Sequence, residues 1–202
     1  MVRGQSPFRA RPGLSITYDG QSFNYAPVPP DRGVAMLVQD RMAEHQAGAF
    51  VVGISGTTYA QRNTTRVYRS FSTLQQFTEP VLCDIGGQSD LLAGMSAAAI
   101  LAAMEEYHNA ARAAGALWTV CATVPPISAA WGATDNAQRL ALNDSIRQSG
   151  YWQGVADIAA IPEAQDPLNP VYFSDGLHPT QALADLWADL IEAAIRRAVP
   201  GI

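Results

Sequence analysis

Apolar and polar positions along this chain fall into short blocks that alternate in kind. From Gly13 onward, compact apolar runs predict strands at Leu14–Tyr18, Phe50–Ile54, Val81–Ile85, Leu117–Val124 and about Val155–Ile161. Between them, helices are predicted over Gly33–His45, Met95–Ala114 and Thr134–Gln148, with a weaker one over Ala60–Gln76. A last helix over Pro179–Ala198 sets Leu183, Leu186, Trp187, Leu190, Ile191 and Ile195 at the spacing of one buried face. Strands alternating with helices require right-handed crossovers, so the expected class is α/β, with a parallel sheet covered on both faces. Ligand sites in such sheets lie at the carboxyl ends of the strands, where the crossover direction switches. Residues 1–12, with Arg3, Arg9, Arg11, Pro7 and Pro12, read as an arm, and residues 13–202 as one domain.

Composition narrows the function classes. With 48% hydrophobic and 15% charged residues in a chain of 202, a disordered chain is excluded. A net charge of −5 argues against nucleic acid as a partner, because phosphate neutralisation needs surplus cations. All 13 basic residues are Arg. Cys83 and Cys121 each sit inside an apolar run and read as buried free thiols. No Cys/His spacing fits a zinc site. No stretch approaches the ~20 apolar residues of a membrane span. The N-terminus has Arg but no apolar core, so the expectation is no signal peptide and a cytoplasmic or virion-associated protein.

The chemistry lies in the turns after the strands. These are Asp19-Gly20-Gln21-Ser22, Gly53-Ile54-Ser55-Gly56-Thr57 and Gly86-Gly87-Gln88-Ser89-Asp90, with Ser174-Asp175-Gly176-Leu177-His178-Pro179 before the last helix. Pro179 keeps His178 out of helical backbone and suits the first helical position. A carboxylate three residues before an imidazole can accept its Nδ1 proton and fix the tautomer. His45 and His108, on predicted helices, read as solvated. Ser22, Ser55 and Ser89 all stand at the correct edge as nucleophiles. Ser22 is favoured because it follows the first strand, normally central in such a sheet.

The four turns, in this order, resemble the blocks of the SGNH (GDSL-type) hydrolases, a superfamily of small serine esterases and lipases. Ile16 to Ser22 resembles the first block, with Gln21 as in the Gly-Gln-Ser variant of the carbohydrate and sialate acetylesterases. Val51 to Thr57 resembles the second, and Asp175-Gly176-Leu177-His178-Pro179 the last. The third block departs from the expected Gly-x-Asn-Asp, since Gly87-Gln88-Ser89-Asp90 has no Asn. The resemblance implies a single-domain, three-layer α/β/α flavodoxin-like fold with a parallel, roughly five-stranded sheet. It implies Ser22 as nucleophile, His178 as base and Asp175 as its orienting acid, cleaving small acyl or O-acetyl esters on a glycan, lipid or cell-envelope substrate. The resemblance also implies that neither a metal nor an organic cofactor is needed. Amides of Ser22 and Gly56 would form the oxyanion hole, with Gln88 or Ser89 replacing the Asn. Register favours Ser89 and chemistry favours Gln88. Substrate contacts are expected from loops Asn24–Arg32, Tyr59–Ser72 and Pro125–Asp135, through Tyr25, Tyr59, Tyr68 and Trp131. The competing readings are a thioesterase or acyltransferase on the same triad, and a catalytically weak binding component docked by its arm to a larger assembly such as a phage tail.

Overall fold

The structure, a computed structural model, describes residues 14–20, 34–42, 48–51, 57–65, 71, 74–127 and 132–202. Its strands are β1 (Leu14–Gly20), β2 (Gly48–Val51), β3 (Glu79–Ile85), β4 (Trp118–Ala122) and β5 (Gly154–Ala156). They form one parallel sheet in the order β2-β1-β3-β4-β5. Among the described residues, six α-helices of at least five residues accompany them: α1 (Val34–Arg41), α2 (Tyr59–Thr65), α3 (Gln88–Leu92), α4 (Ala97–Ala113), α5 (Ala133–Gln148) and α6 (Gln181–Ala198). The order reverses between β1 and β3, so the crevice for a ligand opens where those two strands end. Gly20 pairs with Ile85 there, and Tyr18 with both Val51 and Cys83. Ser22 is thus two residues beyond Gly20, as Gly87 is two beyond Ile85.

Strand alternation divides the interior into two layers. Val81, Cys83 and Ile85 of β3 and Val120 and Ala122 of β4 join α1 and α6 on one face. Leu82 and Cys121 point the other way, into a cluster with Tyr59 of α2, Ile100, Met104 and Tyr107 of α4, and Leu142 and Ile146 of α5. Both cysteines are free and buried, as their apolar runs predict. On α6, Leu183, Trp187, Ile191 and Ile195 are buried while Leu186 and Leu190 are partly so, which is the expected face. Among the described residues, no helix is long and apolar enough to cross a membrane.

Element ends shift where turn chemistry overrides periodicity. The fifth strand stops at Ala156, because Asp157 turns away to bond Thr123 and Arg147 and Pro162 cannot continue a ladder. Residues Ile158–Ala160 and Pro162–Ala164 form single 3₁₀ turns instead. Of the weak helix over Ala60–Gln76, the described part comprises α2 and the buried helical residues Phe71 and Leu74; residues 66–70 and 72–73 lie outside the described residues. Pro179 is not the first residue of α6. It pairs with Phe173 in an isolated antiparallel bridge, and Thr180 precedes the helix.

Helix α6 lies so close to β5 that a Cβ on Gly154 would collide with the Ala194 carbonyl oxygen. Gly154→Ala should therefore force the helix off the sheet and cost ~1–3 kcal/mol, as overpacking does. A fall in the urea midpoint with unchanged slope is the expected result; an unchanged midpoint would show that the contact yields freely.

Candidate active site

The turn 174–178 is built from its own backbone. Asp175 Oδ1 accepts the N–H groups of Leu177 (3.0 Å) and His178 (2.8 Å), a tight Asx-type turn. Gly176 takes φ 79°, left-handed backbone that suits glycine. Ser174 N–H donates to the His178 carbonyl (2.9 Å) and Thr180 N–H to that of Tyr172 (2.8 Å), which closes the loop through the Phe173–Pro179 bridge. His178 is therefore fixed by this bridge, not by the helix entrance that its neighbour Pro179 suggests from sequence.

Asp175 Oδ2 lies 2.7 Å from His178 Nδ1. Although partial burial pushes the Asp175 carboxyl up, the backbone and ring donors of His178 and the Leu177 N–H hold it below the usual carboxylate range. The carboxylate is half-exposed and the imidazole largely covered. With Nδ1–H donated to Asp175, the lone pair of the neutral ring is on Nε2, the nitrogen that faces away from the carboxylate. The expected pair is in place. Ser22, Ser55 and Gly56 lie outside the described residues, as do His45, Tyr25, Tyr68, Trp131 and the arm 1–12.

The third turn begins at the end of β3. Gly87 has φ 98° and heads the short helix α3, so Gln88 and Ser89 occupy its first turn rather than an open loop. Gln88 is buried and Ser89 partly exposed. Asp90 is fully buried, and its Oδ1 accepts the Tyr59 N–H (2.9 Å). Burial pushes this carboxyl up, against the Tyr59 N–H and Arg62, and Oδ2 has no hydrogen-bond partner among the described residues.

Beside this turn lies a cluster that the sequence reading missed. Asp84 is fully buried on β3. Its Oδ1 accepts Arg62 Nη1 (2.8 Å), while Oδ2 takes the Tyr59 hydroxyl and His108 Nε2 (3.1 Å). Burial pushes the carboxyl up, but the His108 hydrogen bond, the Arg62 charge and the Tyr59 hydroxyl outweigh it and leave Asp84 ionised below its usual range. The Tyr59 phenol is pushed well up by burial and by Asp84, so it stays a donor. Two expectations are corrected here. His108 is buried against Tyr107 and Trp152 rather than solvated, and Tyr59 is buried on Asp84 rather than lining a pocket. Signals for both existed. A carboxylate inside the run Val81–Ile85 must find donors, and His108 shares the spacing of Ile100, Met104, Tyr107 and Ala111.

The family model described as GDSL-like Lipase/Acylhydrolase family matches residues 13–186. Several solved structures share the fold. A member of the lipolytic protein G-D-S-L family from Veillonella parvula is 14% identical, over 91% of this chain and 99% of its own, with TM-score 0.69. The acetyl xylan esterase AlAXEase is 14% identical, over 90% and 100%, with TM-score 0.69. The psychrotrophic esterase EstA from Pseudoalteromonas sp. is 17% identical, over 91% and 97%, with TM-score 0.66. No curated protein sequence matches this chain.

Asp84 gives the fold a pH dependence. Its native pKa lies below the unfolded value of ~3.9, so its contribution is complete above that value and is lost as pH falls through the native one. Asp84→Asn breaks a buried pair and should cost ~3–5 kcal/mol at neutral pH. The variant should also lose less of its remaining stability than the parent between pH 5 and pH 2, as read from urea midpoints. Equal losses in the two proteins would assign the acid sensitivity elsewhere.

Proposed function

The chain belongs to the GDSL-like lipase/acylhydrolase family, a family of ester hydrolases, and we propose that it cleaves small acyl or O-acetyl esters with Ser22, His178 and Asp175. The observation that carries the reading is the 2.7 Å contact from Asp175 Oδ2 to His178 Nδ1, on a turn that fixes both residues. Ser22 Oγ attacks the acyl carbon as His178 Nε2 takes its proton. The alcohol leaves with that proton, and water then repeats the sequence on the acyl-enzyme. Asp175 stabilises the imidazolium formed in each half.

The oxyanion is assigned to the amides of Ser22 and Gly56 and to the side chain of Gln88. Gln88 is preferred to Ser89 because its amide carries the N–H donor of the missing Asn, and its burial removes competing water. The Gly-Gln-Ser sequence around Ser22 favours an acetyl group on a sugar, the linkage that the name of the acetyl xylan esterase also carries.

Ser22→Ala should lose on the order of 10⁴–10⁶ in kcat on p-nitrophenyl acetate and all labelling by a fluorophosphonate. His178→Ala should follow it, and Asp175→Asn should be severely impaired because it favours the wrong tautomer. Labelling that persists in Ser22→Ala and maps to Ser55 or Ser89 would move the nucleophile.

For the third donor, Gln88→Ala should lower kcat ~10²–10³-fold while Ser89→Ala stays close to the parent, with folding checked by thermal melts. The reverse pattern would assign the role to Ser89. Two silent variants would leave the hole to backbone amides alone.

A further inference from the structure

We propose that Asp84, Arg62 and Tyr59 are positioning residues that tie the start of α2 to the turn after β3 and so fix where that turn presents Gln88 as an oxyanion donor; this rests on the hydrolase reading above.

The connections run directly between the start of α2 and the turn after β3. Arg62 Nε lies 3.4 Å from Thr57 Oγ1, next in sequence to Gly56, while its Nη1 bonds Asp84 Oδ1 at 2.8 Å. Asp84 stands two residues before Gly86. Tyr59, on the same turn of α2, makes two further ties. Its hydroxyl bonds Asp84 ahead of the Gly86-Gly87 turn, and its N–H bonds Asp90 Oδ1 behind Gln88 at 2.9 Å. The Arg62 Cζ sits 4.7 Å from the Tyr59 ring centroid, so the two side chains hold each other. Residues 85–89 are thus gripped at both ends by a helix that starts just after Gly56. No slack remains between grip and turn: a Cβ on Gly86 would lie 2.5 Å from Arg62 Nη1 and 2.7 Å from the Tyr59 hydroxyl.

A plain packing role is the weaker explanation. Position 84 shares its face with Leu82, where an apolar side chain would fill the layer without desolvating a charge. Hydrogen bonds add what apolar contacts lack, namely direction, and a hole must hold its donors within about 0.5 Å. Arg62 has a second effect. It balances the charge of a buried carboxylate that stands two residues before the Gly86-Gly87 turn. Asp84 itself is fully buried and does not reach the substrate, so it acts only through the turns.

The test compares Tyr59→Phe, Arg62→Lys, Arg62→Gln and Asp84→Asn with the parent, by kcat and KM on p-nitrophenyl acetate and by the rate of inactivation with a fluorophosphonate. Tyr59→Phe keeps the ring and the N–H to Asp90 and loses only the hydroxyl, so it decides the matter if Asp84→Asn does not fold. Ile191→Val, on the opposite face of the sheet, controls for lost stability. The expected result is a kcat reduced on the order of 10–10²-fold with KM little changed, as for small misplacements. The inactivation rate should fall in parallel, Arg62→Lys should retain more activity than Arg62→Gln, and Ile191→Val should be unaffected. Variants whose folded fraction keeps parental kcat and inactivation rate would overturn the proposal while leaving the hydrolase reading intact. A parent that neither hydrolyses the ester nor takes the label would overturn both.

Discussion

A carboxylate withdrawn from water at the end of β3 must find its donors inside the protein, and much of the site's architecture follows from how Asp84 does so. Desolvation alone would neutralise it. Three donors from two helices, the Arg62 guanidinium, the Tyr59 hydroxyl and the His108 ring, keep it charged. Each must arrive at a set angle, so α2 and α4 are placed on this face more narrowly than apolar packing would require. With Asp84 ionised, His108 Nε2 must carry the proton, and its Nδ1 is left buried without a partner among the described residues. Arg62 supplies the fixed positive charge opposite Asp84, a balance that losing Arg62 would break.

The other half of the site is organised by an opposite principle. Asp175 and His178 stand three residues apart, and what fixes them is short-range: an Asx-type turn, one left-handed glycine and one β-bridge. Their carboxylate is half-exposed and screened by solvent, which makes it a weak contributor to stability and leaves it suited to the role of acid partner proposed for it. A local turn can carry this pair because it joins two neighbouring groups. The proposed oxyanion hole would draw donors from separate crossovers, and long-range connections such as those at Asp84 suit that demand.

That division explains what was legible in the sequence. The alternation of strands and helices, the buried face of α6 and the Asp175–His178 pair all rest on spacings of two to eight residues, which periodicity and turn chemistry report directly. The Asp84 contacts join residues 22 to 25 apart and cross between elements, so no local pattern announces the partners. The charge inside Val81–Ile85 signals that some partner exists, without saying which. His108 was the more readable of the two, since it falls on the stripe through Ile100, Met104, Tyr107 and Ala111. A histidine is polar enough to suggest the solvent side of a helix, and burial prevailed because Asp84 supplies the hydrogen bond that makes it affordable.

The departure from the family pattern at Gly87-Gln88-Ser89-Asp90 is best understood from what holds that segment on its far side. A Cβ on Gly87 would stand 3.2 Å from Val124 and 3.4 Å from Leu142, so the start of α3 is pressed against the chain leaving β4. That chain is itself clasped. Asn143 accepts the Val124 N–H (2.7 Å) and donates to its carbonyl (2.9 Å), which also takes Arg139 Nη1 (3.2 Å). Gln88 thus follows a glycine that is packed against one fixed element, and precedes an aspartate that is bonded to another. A glutamine is longer than an asparagine and has one more rotatable bond, which as a free side chain would cost it precision in the donor role proposed for it. Burial at the first turn of a helix pinned from two sides restricts that freedom, so the longer side chain need not be the looser one.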